Sequence, residues 1–142
     1  MGLAYNTKIV RNGLVFHVDA ASLQSYSGSG TEVKDLSGLG NHGVLQNGAT
    51  ISNGAFVFDG IDDNLNMGDK VDISSGFTLN VWFKGDPTQN DTYAGILNKD
   101  ASGNFGNYGL YGDLNSSYVR FGFVSTVSAQ REISNSSYSD IK

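Results

Sequence analysis

Five aspartates crowd one short stretch of this chain: Asp59, Asp62, Asp63, Asp69 and Asp72. The first three lie in the turn Phe58-Asp59-Gly60-Ile61-Asp62-Asp63. Clustered carboxylates suit a hard cation such as calcium, which fills its coordination shell with oxygens. The same residues also build tight turns, because an Asp side chain accepts backbone N–H bonds from residues just after it. The spacing is not that of an EF-hand loop. Two readings therefore stand. Asp59, Asp62 and Asp63 form a calcium site, or Asp59 and Asp62 accept backbone N–H groups while Asp63 faces water.

A second constellation is aromatic. If residues 77–84, 107–112 and 118–124 are strands, the outward face can gather Trp82, Asn80, Tyr111, Tyr118 and Arg120. An aromatic ring flanked by amide and guanidinium donors can stack a sugar and fix its hydroxyls. The competing expectation is that loops cover this face and Trp82 is packed. The two histidines, His17 and His42, have no Ser or His partner at catalytic spacing, so structural roles are expected for both. There is no Cys, which excludes disulfides and thiolate metal sites.

The elements that must position these residues read as short strands. Apolar and polar residues alternate with period two over residues 14–19, 43–46, 55–59, 77–84, 93–99, 107–112 and 118–124. The pattern is clearest at 77–84, where Phe77, Leu79, Val81 and Phe83 alternate with Thr78, Asn80, Trp82 and Lys84. Gly, Asn, Asp and Ser clusters separate the segments, and 19 Gly against one Pro fits a turn-rich globular domain. Residues 20–25 have room for one helical turn, and 125–142 are Ser-rich and weakly patterned. No unit of 20 to 50 residues repeats, which disfavours a propeller or solenoid. About seven short strands at this spacing point to a sandwich or barrel.

Size and charge narrow the function classes. A chain of 142 residues is one domain long, with one core expected. Its formal charge is −5 and its nine Lys and Arg residues are scattered singly, so nucleic acid is not expected as a partner. No apolar run approaches the roughly 20 residues of a membrane span, so no membrane partner is expected either. The amino-terminal residues lack the basic and apolar regions of a signal peptide, and a soluble protein made in a cytoplasm is the expectation.

Three blocks in order carry a resemblance: Gly13-Leu14-Val15-Phe16-His17-Val18-Asp19-Ala20-Ala21, then Asp35-Leu36-Ser37-Gly38-Leu39-Gly40-Asn41-His42-Gly43, then Phe58-Asp59-Gly60-Ile61-Asp62-Asp63 with the segment 77–84 behind it. Together they resemble the laminin-G-like (concanavalin A-like) jelly-roll domains, and the opening with Ser25-Tyr26 and Gly28-Ser29-Gly30-Thr31 is most similar to those of tailed-phage virion proteins. The resemblance implies an all-β, antiparallel jelly-roll β-sandwich spanning residues 13–142 behind an arm of residues 1–12, with Phe56 and Phe58 in the core. It covers about the first two thirds of such a domain. The closing strands of the family do not follow Lys142, so the sandwich is expected to be incomplete at its carboxy-terminal end, completed by further chain or by a partner.

The resemblance also frames activity. The same fold hosts glucanases, which need two opposed carboxyl groups on a Glu-rich strand. Here Glu32 and Glu132 stand alone, and no enzyme activity is expected. Some relatives bind calcium at the sandwich rim, which keeps it as an optional ligand, no cofactor being required. The leading expectation is a non-catalytic virion component: a capsid decoration, tail or fibre module. Its partners would be other virion proteins or its own copies in a homo-oligomer, and weakly bound cell-surface glycans. The alternative is a calcium-assisted carbohydrate-binding module of a bacterial surface or secreted protein.

Overall fold

A computed structural model describes residues 9–72, 76–85, 94–99, 108–113, 118–124 and 130–135. Among these the chain is all-β. Nine strands pair antiparallel, and no helix is long and apolar enough to cross a membrane. Two compact units divide the chain, Met1–Val71 and Asp72–Lys142.

The first unit holds β1 (Glu32–Val33), β2 (Gly43–Gln46), β3 (Thr50–Ser52), β4 (Ala55–Val57) and β5 (Asn64–Asn66). β2 is the centre of a three-stranded sheet ordered β1-β2-β5. Its alternation is carried out in space: Gly43 and Leu45 are buried, and Val44 and Gln46 are exposed. Leu45 pairs with Leu65 of β5, and Val33, which pairs with Gly43 from β1, is fully buried. A Cβ on Gly43 would come within 2.7 Å of Leu65 Cδ1 and 3.3 Å of Asn66 O, so a larger residue there has to displace the Leu65 side chain. β3 and β4 form a hairpin whose two turn residues, Asn53 and Gly54, have φ of 51° and 73°. Asn-Gly is the pair that tolerates positive φ at both positions of such a turn.

Residues 14–19 do not join a ladder. Leu14, Phe16 and Val18 are half-buried as the alternation implies, but the backbone is bonded mainly by side chains of the loop 35–41 instead of by a strand. Residues 20–25 do make the expected single turn, with Tyr26 N donating to Ser22 O at 2.9 Å. Phe58 falls outside β4 and is 46% exposed, its ring lying 6.5 Å from that of Phe56. The expected core pair is thus a stacked pair of which one member faces outward, because the strand ends at Val57 and the acidic turn begins.

The second unit is a meander of four strands in chain order: β6 (Ala94–Lys99), β7 (Tyr108–Asp113), β8 (Tyr118–Val124) and β9 (Gln130–Asn135). A bulge between Gly95 and Leu97 shifts the β6–β7 register. Lys99 pairs across from Tyr108, and its ammonium, mostly withdrawn from solvent, meets Asp72 Oδ1 at 2.7 Å. Tyr108 is buried, and its ring meets Phe77 at 5.5 Å. Burial pushes the Tyr108 hydroxyl above the ordinary phenol range; Lys99 opposes that shift and Asp72 adds to it.

Residues 77–84 carry the clearest sequence alternation and yet form no ladder among the described residues. Leu79 and Val81 are half-buried and Thr78, Asn80, Trp82 and Lys84 are exposed, but Phe77 and Phe83, expected on the inward face with Leu79 and Val81, are exposed as well. Alternation proposes an inward face, but holding it takes a partner backbone in register. Conversely β9 arises in the weakly patterned tail, where pairing with β8 organises Gln130–Asn135 despite a mostly polar sequence.

Val71 has φ of 62°, a region that a β-branched residue occupies only under strain. Val71→Gly is expected to raise stability by about 1 kcal/mol, the relieved strain exceeding the added chain entropy of glycine. A thermal melt unchanged or lowered by the substitution would refute the strain.

Candidate functional site

The densest polar arrangement surrounds Asp35, in the second sequence block. Asp35 Oδ1 accepts from His17 N at 3.0 Å and Ser37 N at 2.9 Å, and Oδ2 accepts from Ser37 Oγ at 2.6 Å and Asn41 N at 3.1 Å. Its own N–H donates to His42 Nδ1 at 3.0 Å. Asn41 Nδ2 donates to Val15 O, which Ser37 Oγ also approaches at 3.3 Å, and Leu36 N donates to His17 O. The loop 35–43 is thereby fastened to residues 15–17 of the first block. Asp35 is only 6% exposed, and burial alone would raise its pKa. The bonds from Ser37, His17 and Asn41 together outweigh that and hold the carboxyl below the ordinary range.

Ser25 extends the same arrangement. It is buried, its Oγ donates to Lys34 O at 2.7 Å and accepts from Asp19 N at 3.2 Å. Both histidines are therefore part of the frame, His17 through its backbone and His42 through its ring. The centre of the network, Asp35, was present in the sequence only as one letter of a block. The usable signal was its spacing, since an Asp two residues before a Ser and six before an Asn can accept from both.

The acidic turn is organised differently from expectation. Asp59 Oδ1 accepts from Ile61 N at 2.8 Å, as anticipated, but the second acceptor is Asp63, whose Oδ2 takes Asp59 N at 2.9 Å. Asp62 contributes its backbone carbonyl instead, which accepts from Asn47 Nδ2 at 2.8 Å and Asn64 Nδ2 at 3.1 Å. Asp63 bonds across the turn because β5 begins directly after it and fixes its backbone there. One carboxylate oxygen from each of Asp59, Asp62 and Asp63 lies within 4.8 Å of the others. Oxygens of Asp59 and Asp63 are already committed to the turn, and Asp63 Oδ1 is buried, 3.2 Å from where a Cβ on Gly48 would stand. Asp63 Oδ1 has no hydrogen-bond partner among the described residues, and the exposed Asp62 enters the turn through its backbone carbonyl.

The aromatic residues are only partly gathered. Tyr111 pairs with Arg120 across β7 and β8, and Tyr118, two positions before Arg120, pairs with Asp113. Tyr111 is itself buried, with its ring over Gly109. The side chains of Tyr118 and Arg120 lie outside the described set. Trp82 is 96% exposed and Asn80 is exposed beside it, on the segment that joins no ladder, and Trp82 makes no ring contact among the described residues. Trp82 is thus not the packed residue of the competing expectation.

Comparison with known proteins adds no name to this geometry: no protein family, no curated protein and no solved structure matches the chain.

Proposed function

We propose that this chain is a non-catalytic β-sandwich module of the laminin-G-like, jelly-roll kind, serving in a phage particle as a capsid decoration, tail or fibre component. It works through contacts with other virion proteins or its own copies, and through weak attachment to surface glycans. The observation that carries this reading is Trp82, an indole almost wholly in solvent with Asn80 and Lys84 on the same outward side. A large exposed aromatic flanked by polar groups is the residue type that anchors a protein interface or stacks a sugar. The order of the three sequence blocks and the antiparallel strands support the sandwich. The Asp35 network supports a frame role for the polar residues of the first two blocks, in place of catalysis.

The runner-up is a carbohydrate-binding module of a bacterial surface or secreted protein, with calcium at Asp59, Asp62 and Asp63. Trp82 and Asn80 favour it, and the burial of Tyr111 weighs against a broad sugar platform. Two measurements separate the readings. Mass spectrometry of purified virions is expected to find this polypeptide, and its absence there removes the virion assignment. A glycan array run with and without calcium is expected to show at most weak signals that Trp82→Ala abolishes. Selective, calcium-dependent binding lost in that variant would transfer the assignment to the carbohydrate-binding module.

A further inference from the structure

We propose that β4 is a pairing edge for a second copy of this chain, the two hairpins joining across a two-fold axis into a four-stranded antiparallel sheet ordered β3-β4-β4-β3. The contact does not involve Trp82. It follows from where the hairpin's backbone bonds go. The register is Thr50 to Val57, Ile51 to Phe56 and Ser52 to Ala55, closed by the two-residue turn Asn53-Gly54. In such a hairpin the residues flanking the turn exchange both N–H and C=O groups, and the next pair out does not. Ser52 with Ala55 and Thr50 with Val57 are therefore bonded pairs. Ile51 and Phe56 aim their N–H and C=O groups away from each other, along the two outer edges. Among the described residues no hydrogen bond reaches those groups. Two strands alone make a marginal sheet in water, so a further strand adds to its stability.

Sheet edges are ordinarily blunted by charges, Pro or bulges. The other outer strands follow that rule: β1 carries Glu32, β6 Lys99 and β9 Arg131 with Glu132, and β5 starts directly after Asp62 and Asp63. The hairpin does not. No Asp, Glu, Lys or Arg lies between Asp35 and Asp59, the one Pro is Pro87, and the β3–β4 ladder has no bulge. Of its two edges β4 exposes apolar side chains, Ala55 and Val57, with Phe58 just beyond, whereas β3 exposes Thr50 and Ser52.

A second copy is the occupant that fits this edge. A charged peptide would find no counter-ion along residues 36–58. Antiparallel pairing centred on Phe56 sets it opposite Phe56 of the second copy, the two exchanging N–H and C=O groups, and sets Ala55 opposite Val57 of the second copy. One step out, Phe58 comes over Gly54 of the second copy, an aromatic ring beside bare glycine backbone. Asp59 then faces Asn53, so the two acidic turns lie at opposite ends of the pair and no like charges meet. A pairing this short buries less than the roughly 1,200 Å² of a stable interface, so the dimer is weak: mostly monomer at about 10 μM and mostly dimer at about 1 mM.

Amide exchange of the whole chain, followed by NMR at those two concentrations, tests the edge. Ala55 and Val57 N–H, bonded to β3, are expected to be protected at both. Protection of Phe56 N–H is expected to rise about fourfold at the higher concentration, while that of Ile51 N–H stays unchanged. Val57→Lys puts a charge on the exposed face of β4 and leaves the ladder groups in place. Sedimentation velocity is expected to show its association weakened at least about tenfold, with the Phe56 change gone. Phe56 protection that ignores concentration would overturn the proposal, as would dimers in which Ile51 gains protection instead. Dimers that protect neither amide and dissociate with Trp82→Ala would also overturn it, and would assign the self-contact to Trp82. Should Val57→Lys fail to fold, the exchange comparison in the wild type decides alone.

Discussion

Replacing Asp35 by Ala is expected to cost the first unit about 3–5 kcal/mol, the range seen when a buried charged partner is removed and the groups it satisfied are left behind. Four donors lose their acceptor at once: His17 N, Ser37 N, Ser37 Oγ and Asn41 N. Ser37 Oγ retains Val15 O and can turn to water, whereas the backbone N–H groups of His17 and Asn41 are held by the frame and cannot. Asp35→Asn is expected to cost less, about 2–3 kcal/mol, because one oxygen still accepts while the amide N–H₂ faces two donors. Against a total stability of about 5–15 kcal/mol, a loss of that size takes most of the stability at the lower end of the range and about a third at the upper end. Urea titration of both variants measures the difference.

The same carboxylate sets an acid dependence. Its pKa in the folded protein is lowered, so folding is favoured by its ionised form. That contribution is complete above the unfolded carboxylate value of about 4 and declines as pH falls through the lower folded value. Asp35→Asn should flatten the stability profile below about pH 4, and an unchanged acid slope would mean that other groups dominate it.

These effects bear on what the sequence could disclose. Strand existence was legible where alternation coincided with a local partner: residues 43–46 are β2 and 118–124 are β8 at the expected bounds, and 93–99 and 107–112 become β6 and β7 within one residue. Pattern failed in both directions where pairing was the deciding term. Residues 77–84 alternate without a ladder among the described residues, and β9 has a ladder without alternating apolar residues. The acidic turn was legible as a turn but not in its wiring, since whether Asp62 or Asp63 reaches the Asp59 N–H depends on where β5 begins. Asp35 was legible only in part: its local acceptor role follows from Ser37 and Asn41 two and six residues on, but the bond from His17, 18 residues away, leaves no periodic trace.

Gly109 tests the packing of the second unit in the same way. A Cβ at this position, in the interior strand β7, would fall inside the ring of Tyr111, which is two residues on and therefore on the same face. Tyr111 is 8% exposed, so its ring has to shift within a packed environment to admit the methyl group. Gly109→Ala is expected to destabilise by about 2–3 kcal/mol, in the range of core overpacking, although alanine is no worse than glycine in an unobstructed strand. The cause can be isolated by a double-mutant cycle. Tyr111→Ala removes the ring and costs stability in its own right, but in that background the added methyl group has room, so Gly109→Ala should cost less than about 0.5 kcal/mol. If the two losses simply add, the obstruction is not the ring and the glycine is demanded by the backbone of β7 instead. If they compensate as expected, Tyr111 is a packing residue whose ring is held against its own strand.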